Sequence, residues 1–175
     1  MPDIRVAWSA GEARADVVID PATGLYETGH DLVTALVISL FTDRLAEADD
    51  VIPDGSTDRR GWWADQDAEE IWGPGAAMIG SRLWLLSREK RVPATRTRAE
   101  TYVREAIAWM ADPAVAAVAR FDVACLWRDL ASGLETIDIA QLRGADGVLV
   151  ARIVAYQRDG SAVVAHFAPL WSDFA

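Results

Sequence analysis

Apolar residues recur along the chain with two different periods, and the change of period divides it. At the start, Ile4-Arg5-Val6-Ala7-Trp8 and Ala15-Asp16-Val17-Val18-Ile19 are short β-prone runs. Ser9-Ala10-Gly11-Glu12 separates them and Asp20-Pro21-Ala22-Thr23-Gly24 closes the second, which predicts a small hairpin. The period then becomes helical: Val33, Leu36, Val37, Leu40 and Phe41 fall at i, i+3, i+4, i+7 and i+8. Leu32 and Ile38 widen that stripe almost all round, so this helix is expected at the centre of the core, with Asp31 as its cap.

From Asp43 to Pro74 the period vanishes, and ten acids face only Arg44, Arg59 and Arg60. A loop at about 43–76 is longer than the roughly 12–15 residues usual for a connection, which implies that it binds something or takes order from a partner. With no apolar period to tie it down, it is expected to be less ordered alone than in an assembly. A second helix is predicted over Ala77–Glu89, with Ile79, Leu83 and Leu86 on one face. A third follows Pro93: Thr97 and Glu100 have capping-box spacing, and Ala99, Tyr102, Val103, Ala106, Ile107 and Met110 form the stripe. It should stop near Asp112-Pro113, because the residue before proline is pushed out of the helical region.

Beyond that point the period is two. Val118, Arg120 and Asp122 alternate imperfectly with Ala119, Phe121 and Val123, and further strands are predicted over 135–142, 148–156 and 162–167. Asp159-Gly160 is a strong hairpin signal. The fold class is α+β: an N-terminal hairpin and a three-helix middle packed on a C-terminal antiparallel sheet, in a single domain over 1–175.

Composition narrows the function more than the fold. A content of 51% hydrophobic and 25% charged residues excludes wholesale disorder. The net charge of −10 repels polyphosphate and argues against a general nucleic-acid binder. Cys125 is the one thiol and His30 and His166 are the two imidazoles, too few for a disulfide framework or a structural zinc site. No metal or cofactor is expected. The longest charge-free apolar stretch, Leu32 to Thr42, falls short of the ~20 residues that span a bilayer, and no apolar run opens the chain, so the expectation is a soluble protein on the cytoplasmic side.

Catalytic constellations are hard to assemble from these residues. Cys125 lies in an apolar strand-like run ahead of Leu126-Trp127 and reads as a core residue, His166 as a strand residue and His30 as a helix-start residue. Neither glycine-rich nucleotide-binding pattern occurs. Asp43, Asp49, Asp50, Asp54, Asp58 and Asp65 raise the thought of calcium or of a glycosidase pair, but without the alternating calcium-loop pattern they read as a solvated or arginine-paired loop.

Tryptophan is the unusual component: eight exceed the four Phe and three Tyr combined. Trp84 and Trp109, in helical pattern, are expected in the core. Trp62-Trp63, beside Arg59 and Arg60, have the composition of an interface hot spot or of a loop anchor. Over Arg82–Arg104 the charge reverses, with Arg82, Arg88, Lys90, Arg91, Arg96, Arg98 and Arg104 against Glu89 and Glu100. Such a segment either neutralises the acidic loop or provides charge complementarity between copies or subunits.

Ser39-Leu40-Phe41-Thr42-Asp43-Arg44, Ile52-Pro53-Asp54-Gly55, Asp58-Arg59-Arg60-Gly61-Trp62-Trp63-Ala64-Asp65 and Gly80-Ser81-Arg82-Leu83-Trp84-Leu85-Leu86 resemble the phage Mu-type baseplate protein family (gene product forty-six). The resemblance continues through Glu89-Lys90 and Tyr102 to Trp109. That family is similar to the gene-twenty-five-type wedge proteins of contractile tails, which are non-catalytic. The resemblance implies a structural, non-enzymatic wedge subunit of a baseplate, present in several copies, that joins other wedge and hub proteins and supports the sheath or tube. It implies assembly in the host cytoplasm and residence in the virion tail. The expected partner-binding residues are Asp58, Arg59, Arg60, Trp62, Trp63, Arg82, Asp112 and Pro113. Where the wider group has a Glu-Pro-Arg triplet, this chain has Asp112-Pro113-Ala114, without the arginine. The alternative from another class is a tail-associated glycan-binding or peptidoglycan-cleaving protein that uses the loop tryptophans and aspartates.

Overall fold

A computed structural model describes residues 3–9, 12, 14–73, 78–113, 118–127 and 148–168. The N-terminal hairpin forms as the alternation predicts: β1 (Val6–Ser9) pairs antiparallel with β2 (Arg14–Val17), Val6 opposite Val17. Bridges Ile4–Thr28 and Ile19–Tyr26 fold the following segment back on it. Trp8 reaches from β1 to stack on Phe41, with ring centroids 3.5 Å apart and planes within 6°. The hairpin is thereby pinned to α1 (Asp31–Phe41).

Leu36, Val37 and Leu40 of α1 are buried, as the stripe predicts, but Ile38, expected to widen it, is exposed, so the stripe does not run almost all round. Thr34 and Ser39 are buried too, and each has a partner: Thr34 Oγ1 accepts from the Val6 N–H at 3.0 Å, and Ser39 Oγ accepts from the Trp109 indole at 3.1 Å. Asp31 is not the cap. It is the first helical residue, and its carboxylate accepts from the Asp3 N–H, so it ties the amino-terminal segment to the helix.

The connection after α1 is not one open loop. It carries a 3-10 turn at Trp63–Asp67 and a short helix, α2 (Ala68–Trp72), and Asp43 forms a parallel bridge with Ser81. The helix predicted over 77–89 shrinks to a 3-10 turn at Leu83–Leu86. Gly80 explains the difference: at φ +96° its hydrogen sits where a Cβ would lie 2.3 Å from the Thr42 carbonyl oxygen. The chain there is pressed on the backbone of the preceding segment and leaves helical space. All four residues of the turn are buried, Trp84 included.

α3 (Pro93–Ile107) begins at the proline, with Val92 as N-cap, and continues as a 3-10 turn, Ala108–Ala111, that ends at Asp112-Pro113. All six predicted stripe residues are buried. Thr97 and Glu100 do not form a capping box, because the helix starts four residues before Thr97. Thr97 Oγ1 donates to the Pro93 carbonyl instead. Trp109, expected in the core, is 40% exposed, with its N–H turned inward to Ser39.

β3 (Val118–Trp127), β4 (Leu149–Gln157) and β5 (Ala162–Phe167) form an antiparallel sheet in the order β3-β4-β5. A bulge between Val118 and Arg120 switches parity, so Val118 and Val123 are both buried. This accounts for the imperfect alternation in the sequence. Cys125, Ala151, Ile153 and Phe167 join α1 and α3 in one core. The β4–β5 turn passes through Gly160 at φ +89°, as the Asp-Gly pair predicts. The strand predicted over 135–142 lies outside the described residues.

Candidate functional site

The Asp58–Trp63 motif builds a tight reversal. Asp58 accepts from the Arg60 N–H at 2.8 Å, Arg60 is left-handed at φ 51°, and Gly61 follows at φ 110°. The turn lets Leu45 pack on Gly61, where a Cβ would lie 3.2 Å from the leucine Cβ. Gly61 adopts its positive φ freely, but at Arg60 the left-handed backbone costs strain, which the arginine contacts offset.

Those contacts run inward. The Arg59 guanidinium donates to the Ala46 carbonyl from Nε (3.3 Å) and Nη2 (3.1 Å), and the Arg59 carbonyl accepts from the Ala46 N–H. Arg60 pairs with Asp43 at 2.8 Å and lies 4.5 Å above the Trp84 ring. The Trp84 indole donates to the Arg44 carbonyl at 2.9 Å. Both arginines and Trp84 therefore grip the 43–46 segment, and the tryptophan pair projects from the turn they hold. Trp62 is half-buried and Trp63 is 77% exposed, the rings 5.6 Å apart.

Arg82 sits on the same segment from the other side. Its Nη1 is 3.1 Å from Asp50 and 3.9 Å from Glu47, its Nη2 is 2.7 Å from Glu105 of α3, and its plane lies 4.8 Å over Tyr102. Burial works against the charge, but the hydrogen bonds that Arg82 donates to Glu105 and Asp50 outweigh it and hold the guanidinium more firmly protonated than usual. Asp58, Arg59, Arg60, Trp62, Trp63 and Arg82 thus converge on one loop. Asp112 and Pro113 are exposed past the C-terminal end of α3, with the Asp112 N–H closing on the Trp109 carbonyl.

Sequence reasoning missed the pair Glu100 and Arg104. Glu100 accepts from the Cys125 N–H at 3.0 Å, and Arg104 donates to the Val123 carbonyl. One helical turn apart on α3, they occupy the outward hydrogen-bonding positions of β3 and cover that edge of the sheet. Their i, i+4 spacing is visible in the sequence, but its target on a strand is not.

The groups considered for chemistry lie apart from this loop. Cys125 is fully buried and burial pushes its thiol up to about 12, which leaves a neutral packing group. His166 is on β5 opposite Arg152; burial, helped by that arginine, lowers its pKa. His30 is 3.3 Å from Glu27 at the start of α1. Among the described residues no group of His, Cys, Asp and Glu is arranged to hold a metal, and no helix is long and apolar enough to cross a membrane.

Known proteins are similar to this chain in sequence. The chain is 46% identical over 110 residues to baseplate protein gp46 of Escherichia phage Mu, covering 63% of this chain and 68% of the phage protein. It is 33% identical over 116 residues to the Mu-like prophage FluMu protein gp46 of Haemophilus influenzae, covering 66% and 71%. No solved structure matches it. The family described as phage protein GP46 matches residues 32–162, from α1 through the arginine-tryptophan loop to the start of β5, and the chain belongs to that family.

Proposed function

We propose that this chain is a structural subunit of a contractile-tail baseplate, a wedge component that joins wedge and hub neighbours and supports the sheath or tube. The observation that carries the reading is the 46% identity to a protein named as a baseplate component. The loop geometry supports it. Arg59, Arg60 and Arg82 hold the 43–50 segment, and Trp63 stands exposed on the turn they fasten, an aromatic of the kind that concentrates binding energy. Asp112 and Pro113 supply a second contact past the end of α3. Several copies assemble in the host cytoplasm and remain in the virion tail.

Docking rather than catalysis is the proposed mode of action. Cys125 is neutral and buried, His166 is on another element, and the Asp58 carboxylate is engaged by the Arg60 N–H. The deciding experiment replaces Trp62 and Trp63 by Ala in the assembling phage or prophage. We expect tail assembly to fail while the melting temperature of the isolated protein changes little; normal tails would overturn the assignment. Peptidoglycan and simple glycosides, offered to wild type and to Asp58→Ala, should remain uncleaved. Turnover that disappears in the variant would establish the glycan-cleaving alternative instead.

A further inference from the structure

The N-terminal end of α3 carries a collar of cations. Arg88, Lys90, Arg91 and Arg96 are all exposed, and none forms an ion pair among the described residues. Glu89 offers no relief, because it is held by Arg98 at 2.8 Å. Asp54 lies within the field of Arg88. At the centre of the collar Val92 is 42% exposed, and the first turn of α3 contains no acid to offset the positive end of the helix dipole.

A second surface has the opposite character. α2 and the turn before it expose Asp67, Glu69 and Glu70, again without an ion pair among the described residues, next to Ile71 at 60% and Trp63 at 77% exposure. This acidic knob is tethered through Asp65, whose carboxylate accepts from the Ile79 N–H, in the run that leads to Arg82. Arg82 holds Glu105, near the other end of α3 from Pro93 and so roughly 18 Å from the collar at 1.5 Å per residue. Within one chain Asp67, Glu69 and Glu70 form no ion pair with Arg88, Lys90, Arg91 or Arg96 among the described residues.

We propose that a second copy of this chain makes the match, the collar around Val92 of one copy receiving Asp67, Glu69, Glu70 and Ile71 of the next. Charge complementarity selects this occupant. Two molecules of net charge −10 repel over most of their surfaces, and the collar is where an acidic neighbour is attracted. Each surface also places an exposed aliphatic side chain within its ring of charge, so contact buries apolar area as well. Because the two surfaces differ, copies join collar to knob, either in a ring or twice across a two-fold axis. The inference rests on reading the Trp62–Trp63 loop as an assembly face and adds the identity of one partner.

Sedimentation velocity of the full chain at about 10 mM and about 1 M NaCl tests it, since the screening length falls from about 30 Å to about 3 Å. Wild type should associate with rising concentration at low salt and be monomeric at high salt. Lys90→Glu/Arg91→Glu and Glu69→Lys/Glu70→Lys should each weaken association by on the order of tenfold or more, and an equimolar mixture of the two should recover it. A wild type that stays monomeric at low salt, variants that associate as wild type does, or a mixture that fails to recover would each overturn the proposal. If a charge reversal lowers the melting temperature, Lys90→Gln and Glu69→Gln should still shift association in the same direction. The two proposals fail separately: a monomeric protein whose Trp62→Ala/Trp63→Ala tails still do not assemble refutes the self-contact and leaves the baseplate role standing.

Discussion

Gly80 shows how one residue decides the path of a segment. Its positive φ and its approach to the Thr42 carbonyl put the backbone where no side chain fits, whereas Gly160, also at positive φ, has open space around it. Gly160→Ala should therefore cost only the left-handed penalty, about 1–2 kcal/mol, and Gly80→Ala distinctly more, measured by urea unfolding of both variants. Equal losses would show that the contact with Thr42 is immaterial. His166 provides a second test at this scale. Its folded pKa is lowered by burial and by Arg152, so the unfolded chain binds the proton more readily. Stability is then fully present above the ordinary histidine value of about 6.5 and declines as pH falls below it, with a slope of at most about 1.4 kcal/mol per pH unit for one group. Unfolding curves at pH 7.5 and pH 5.5 should differ more for wild type than for His166→Asn; equal differences would remove His166 as the cause.

At the scale of elements, α3 and the outer edge of β3 are joined by Glu100 and Arg104 acting on backbone groups. Glu100→Ala leaves the Cys125 N–H without its acceptor and should cost about 1.5–3 kcal/mol, while Glu100→Gln, which keeps an oxygen in place, should cost less. Thermal unfolding of the two variants reads the difference, and similar losses would mean that charge rather than edge coverage matters. How far each element was legible follows from whether its signal is local. The stripe of α3, the Asp159-Gly160 turn and the hairpin are written in adjacent residues, and all three form as read. The helix over 77–89 was not legible as the turn it is, because its pattern is helical and the obstacle, the Thr42 carbonyl, is distant in sequence. The caps failed because both helices start earlier than read, at Asp31 and at Pro93, and the Asp31 and Glu100 carboxylates serve backbone groups at Asp3 and Cys125 instead. Of the site, the clustering of Asp58, Arg59, Arg60 and the tryptophans was readable from the motif, but the division of labour was not, since it depends on which groups lie beneath the loop.

Across the whole molecule, opposite charges are used first to fold the chain on itself. The acidic connection after α1, which its composition suggests would await a partner, is fastened at three places: Ala46 with Arg59, Asp43 with Arg60, and Asp50 with Arg82, which also holds Glu105. Arg82 and Asp50 have side chains only 15% and 14% exposed, so this pair is shielded from water and matters more than the surface pairs. Arg82→Met keeps an apolar stem over Tyr102 but leaves Asp50 and Glu105 without their cation, and should destabilise the fold by about 2–3 kcal/mol. The more telling expectation concerns where the loss appears. If Arg82 is the clasp between the 43–50 segment and α3, hydrogen exchange in the isolated variant should accelerate at the amides of Arg44, Ala46 and Asp50, which are bonded to Ser81, Arg59 and Glu47, before it accelerates in α1. In isolated wild type the same amides should already be protected, because the contacts that hold them are internal. Rapid exchange there in wild type would return the segment to the class of loops ordered only by a neighbour, and uniform acceleration across the variant would make Arg82 a contributor to the common core rather than the fastening of the loop.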